Sequence, residues 1–137
     1  MAVHLDQPTT SRAPGAGQWW SVVTTLLVIA IFLQAVFAGL MLSGFDWARI
    51  AHGANALVLV ASAFAATFVS IVTLRGTSNG RKLGLILLGL AAAVFVQFAL
   101  GRMAAKGANL MWVHVPLGVA LVALAGQAAA TARKLGE

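Results

Sequence analysis

Sorted into apolar and polar positions, the chain reads as four long uncharged stretches parted by short charged ones. The stretches are residues 19–45, 50–74, 83–101 and 107–132. A helix needs about 20 apolar residues to cross the hydrocarbon core of a bilayer, and each stretch has that length or more. Lipid offers no partner for free backbone groups, so spans of this kind must be helices or closed barrels. The alternating pattern of a membrane barrel is absent. The pattern therefore predicts an all-α fold, an integral membrane four-helix bundle running up-down-up-down. Its helices should cover about 19–44, 48–74, 83–104 and 109–132, between a polar tail at 1–18 and a short tail at 133–137.

Composition agrees with the pattern. Hydrophobic residues make up 61% of the chain and charged residues 9%, whereas a soluble domain carries about 25% charged residues. A chain this small has too little interior to hide that much apolar surface in water. The net charge of +6 is not a nucleic-acid footprint, because the basic residues sit at the ends of the spans. Arg12, Arg75, Arg81, Lys82, Arg133 and Lys134 flank one side, and Arg49, Arg102 and Lys106 flank the other. The basic-rich side is expected in the cytoplasm. That places both termini and the "RGTSNGRK" loop there, in a bacterial inner membrane. Trp19 and Trp20 on one side, and Trp47 and Trp112 on the other, suit interfacial anchors.

The opening "MAVHLDQPTTSRAPGAGQ", broken by Pro8, Pro14, Gly15 and Gly17, is expected to be a loose tail. A cleaved signal peptide is the weaker reading, because its apolar region would be too long. The chain has no cysteine, which excludes disulfides, thiolate metal sites and covalent heme attachment through CxxCH.

The chain also repeats. "FLQAVFAGLMLSGFDWARIAHGANALVLVA" (32–61) lies over "FVQFALGRMAAKGANLMWVHVPLGVALVA" (95–123) with one gap. Phe-x-Gln opens both. Gly39 falls five residues after Gln34, and Gly101 four after Gln97. His52 lies 18 after Gln34, and His114 lies 17 after Gln97. The pattern predicts two pseudo-repeated helix hairpins, packed as a bundle about a pseudo-two-fold axis.

On that arrangement His52 and His114 stand near the heads of the two returning helices, on diagonally opposed elements. Ionisable or polar side chains inside a membrane are costly and mark function by default. Two imidazoles facing one axis are the axial ligands of a b-type heme, so His52 and His114 are the candidate metal ligands. Gly39, Gly101 and Gly118 offer room where a porphyrin edge would approach. Arg49, Arg102 and Lys106 offer cations for its propionates. The plainer readings stand beside these. Small residues every fourth position are how any membrane helices pack, and a lone histidine can simply bond a neighbouring helix. Gln34 and Gln97 read either as hydrogen bonds across the bundle that fix register or as contacts to heme or quinone. Two imidazoles without Cys, Asp or Glu make a poor zinc site. Met41, Met103 and Met111 are weaker candidate ligands, since their positions differ between the hairpins.

Gln-x-x-x-Gly on an outgoing helix, then His at the head of the return, all repeated, resembles one four-helix half of heme A synthase. The likeness covers roughly residues 20–132 and extends to short four-span bacterial proteins. It implies a heme-binding bundle with His52 and His114 at the ligand positions. Two departures weigh against heme A synthesis by this chain alone. Arg49 stands where the family has a glutamate, and the family's loop cysteines are missing. Outside this pattern the chain offers no nucleophile–base pair, carboxylate dyad or phosphate loop, so it is not expected to be an enzyme on its own. Two function classes remain. One is a cytochrome b-like protein passing electrons through non-covalent heme b. The other is a non-catalytic accessory subunit or assembly factor without a cofactor. Candidate partners are membrane lipid, a quinone or a respiratory complex, and a second copy of the chain.

Overall fold

The computed structural model describes residues 15–135. Most of the expected polar tail, with His4 and Arg12, and the last two residues lie outside the described part. Four helices follow in order: α1 (Ala16–Leu42), α2 (Asp46–Leu74), α3 (Ser78–Ala104) and α4 (Met111–Arg133). All four are long and apolar enough to cross a membrane. They form a closed ring in which α1 packs on α2, α2 on α3, α3 on α4 and α4 on α1. Among the described residues the backbones of the diagonal pairs, α1 with α3 and α2 with α4, do not approach each other. Large apolar side chains cover the outside of the ring, among them Ile29, Phe32, Phe68, Leu85 and Val119. Lipid accommodates such a surface and water does not.

Helix α3 begins at Ser78, ahead of the expected start near 83. Thr77 caps it, its hydroxyl accepting from the Gly80 N–H at 3.0 Å. The charges of Arg81 and Lys82 hid this first turn from the apolar pattern, although charged residues at a span end are free to stay helical. Gly80 is required there. A Cβ at this position would run into the Leu74 carbonyl oxygen and lie 2.7 Å from both Leu74 Cβ and Thr77 Oγ1. Asn79 Nδ2 then donates to the Lys134 carbonyl at 3.0 Å, tying the start of α3 to the end of α4.

The two turns at the opposite end are built alike. Gly44 (φ 89°) and Gly107 (φ 97°) take left-handed backbone after α1 and α3. In each, the next residue reaches five back: Phe45 N–H to the Leu40 carbonyl and Ala108 N–H to the Met103 carbonyl, both at 3.1 Å. This is the helix-ending turn that glycine favours, since other residues pay a steric cost at such φ. These turns correct the sequence alignment. Gln34 to Gly44 and Gln97 to Gly107 both span ten residues. The extra residue therefore lies later, between Gly44 and His52. Gly101 then matches Ala38, and Gly39 matches Arg102.

The packed core is confined to one half. Trp20, Leu27, Leu59, Leu83, Leu87, Leu90 and Leu121 belong to one buried cluster at the end bearing the chain termini. Small residues let the helices close there; Gly84, for example, faces Ser70 Oγ and Ile71. Beyond Ile31 on α1, before Leu59 on α2, beyond Val94 on α3 and before Leu121 on α4, the one buried residue is Ala48.

Candidate functional site

The sparsely packed half holds both helical histidines together with Gln34, Asn55 and Gln97. Gln34 lies eight residues before the end of α1, and Gln97 seven before the end of α3. Each reaches across to the returning helix of its own hairpin. Gln34 Nε2 donates to the His52 carbonyl at 3.0 Å, and Gln97 Nε2 donates to the His114 carbonyl at 2.8 Å. The repeat is thus a repeat of contacts. The register-fixing bonds expected from these glutamines exist, but they close within each hairpin and not across the bundle.

His52 returns the bond. Its Nδ1 lies 3.2 Å from the Gln34 carbonyl oxygen. A carbonyl only accepts, so this contact requires the proton on Nδ1 and leaves the lone pair of a neutral ring on Nε2. Asn55, one turn further along α2, completes the set. Its Nδ2 donates to Gln34 Oε1 at 2.7 Å and to the Ala30 carbonyl at 2.9 Å. The sequence reading passed over Asn55. The signal was present: a strongly polar residue three after His52 shares its helix face.

The second hairpin is less complete. The Gln97 carbonyl lies near the His114 ring but outside hydrogen-bonding geometry, so His114 Nδ1 is buried without a partner, as is Gln97 Oε1. His114 instead lies against Gly101, where a Cβ would stand 3.0 Å from the ring's Cε1. Gly118 makes similar room for Gln97, since its Cβ would stand 3.1 Å from Nε2. Both glycines seat the polar side chains of their own hairpin. Gly39 does not join them; it is exposed, with open space where a Cβ would be. About 140° of helix separates it from Gln34, at 100° per residue.

His52 and His114 therefore stand on diagonal helices at one end of the ring, both half-buried. Arg49 is exposed in the first turn of α2, and Arg102 and Lys106 are exposed at and just after the end of α3. Trp47 is held edge-on by Phe37, with ring centres 6.3 Å apart. Among the described residues no three of His, Cys, Asp and Glu gather in one place, so a conventional zinc or calcium cage has no donors here. Two imidazoles remain, those of His52 and His114.

The chain matches no protein-family model, no curated protein and no solved structure.

Proposed function

We propose that the protein is a cytochrome b-like membrane protein that holds one heme b without covalent attachment, with His52 and His114 as axial ligands. In this reading it resembles a single half of heme A synthase and lacks that enzyme's chemistry. It lies in a bacterial inner membrane with both termini in the cytoplasm, as the six-to-three basic bias indicates.

One observation carries the reading: two imidazoles on diagonal helices share the half of the bundle in which Ala48 is the one buried residue. Native interiors are close-packed, so a half-bundle with one buried residue calls for something to fill it. A flat apolar macrocycle would supply the apolar contacts that half lacks. The chain's own groups support it further. The Gln34 carbonyl holds His52 in the tautomer whose Nε2 is free to ligate, an arrangement common among metal-bound histidines. Gly101 and Gly118 keep α3 and α4 clear around His114 and Gln97. Arg49, Arg102 and Lys106 would pair with the two propionates at the membrane face. Bound there, heme supplies a one-electron iron couple, and bis-histidine ligation suits electron transfer. Arg49, as a nearby cation, would raise the reduction potential by disfavouring the more positive iron. A quinone or a respiratory complex is the natural exchange partner for a single electron in this location.

The test is the absorption spectrum of protein purified from heme-replete cells, oxidised and then dithionite-reduced. A Soret band with sharp reduced alpha and beta bands is expected. His52→Ala and His114→Ala should each abolish or cripple binding, and His4→Ala should leave it intact. Colourless wild-type protein would favour a cofactor-free accessory subunit. Full bands in both single histidine variants would overturn the ligand assignment.

A further inference from the structure

The hairpins repeat in sequence and in turn, yet they hold their histidines differently. In the first, Asn55 bonds both Gln34 and the backbone of α1, and the His52 ring reaches the Gln34 carbonyl. In the second, the residue three after His114 is Leu117. Leucine has no donor, so Gln97 Oε1 goes unpaired, and without that clamp the His114 ring stops short of its carbonyl. The other parts of the clamp are duplicated. Ala30 precedes Gln34 by four residues, and Ala93 precedes Gln97 by four.

We propose that Asn55 is a positioning residue that makes His52 the fixed axial ligand and leaves His114 the exchangeable one, so that a small neutral ligand can take the His114 place on ferrous iron. The proposal rests on the heme reading above. An imidazole anchored through Nδ1 has its Nε2 pinned in direction, and the hydrogen bond strengthens it as a donor. An imidazole with an unpartnered Nδ1 has neither advantage. If His52 and His114 hold ferrous heme, His114 Nε2 would give up its iron bond as the incoming ligand's lone pair forms one, with no change of oxidation state. Gln97 Oε1 is buried and unpaired in the same hairpin.

Two measurements test this on the full chain. The first needs no heme: long-range proton–nitrogen correlation spectra of histidine-labelled protein in micelles. His52 should show one dominant tautomer with the proton on Nδ1, and His114 a mixture. The second is carbon monoxide titration of the reduced, heme-loaded protein. L117N supplies the missing donor, so it should shift His114 toward the Nδ1–H form and weaken carbon monoxide binding about three- to tenfold, the worth of one hydrogen bond in such a setting. If L117N fails to insert, N55L serves in its place by spreading the His52 tautomers as in His114. Equal tautomer patterns in the wild-type protein would overturn the proposal. So would unchanged carbon monoxide affinity in a folded L117N. Absence of heme in every preparation would refute the heme reading, while the tautomer comparison would still decide whether the two rings are held unequally.

Discussion

At the terminal end of the bundle, Leu83, Leu87 and Leu90 of α3 are fully buried among the other helices, with alanines at 63, 125, 128 and 132 bringing the backbones close. At the histidine end the same four helices keep the same neighbours, but their inward positions carry Gln34, His52, Asn55, Gln97 and His114 among small residues. None of these five is buried. Ring closure therefore does not require filling along the whole length. A membrane bundle can be secured at one end by interlocked leucine and alanine while the other end carries polar side chains and little buried core. In lipid this division is effective, because helix association depends on packing and not on escape from water.

The sharpest way to break this comparison is to cut equally into both ends. Leu87→Ala should cost about 2–5 kcal/mol, the range for a buried leucine that leaves a cavity. Leu100→Ala, at the half-buried level of the histidines, should cost less than about 1 kcal/mol. Reversible unfolding in mixed micelles measures both, and equal losses would mean the two ends are packed alike. The next contrast is between glycines. Gly80→Ala puts a methyl against the Leu74 carbonyl and should cost about 1–3 kcal/mol, as overpacking does. Gly39→Ala meets nothing and should be neutral, or stabilising by up to about 1 kcal/mol through helix propensity. The smallest contrast sharpens the picture within the open end. Gln34→Leu removes a donor and strands Asn55, whereas Gln97→Leu removes one bond and one unpaired oxygen. The first should cost about 1 kcal/mol, and the second no more than about 0.6 kcal/mol. A Gln97→Leu loss equal to that of Gln34→Leu would erase the difference between the hairpins.

The four spans were legible because twenty or more uncharged residues leave a chain few other places to go. The start of α3 was not, because Arg81 and Lys82 look like loop residues until Thr77 and Gly80 are seen to form the cap. The matched Gln and His were legible as a pair, but not their connection. Sequence spacing shows which residues recur and not which atom meets which. Thus Gln34 was expected to bridge the bundle, and it instead meets the backbone of His52. The pairing of Gly39 with Gly101 failed for a related reason. A one-residue gap can be placed anywhere in an apolar repeat, and only the left-handed turns at Gly44 and Gly107 fix its position. Asn55 was not legible because a side-chain amide is no metal ligand, and only its bonds to Gln34 and Ala30 show that it belongs to the site.

Among the described residues, every side-chain hydrogen bond that joins two helices, or a helix to the end of its partner, stays inside one hairpin. None runs from the first hairpin to the second. Each hairpin can therefore leave the insertion machinery with most of its polar groups already paired, before its partner arrives. The joining of the two, along α2 with α3 and α1 with α4, then requires no side-chain hydrogen bond between hairpins. The bonding thus allows each hairpin to close its polar contacts before the bundle assembles.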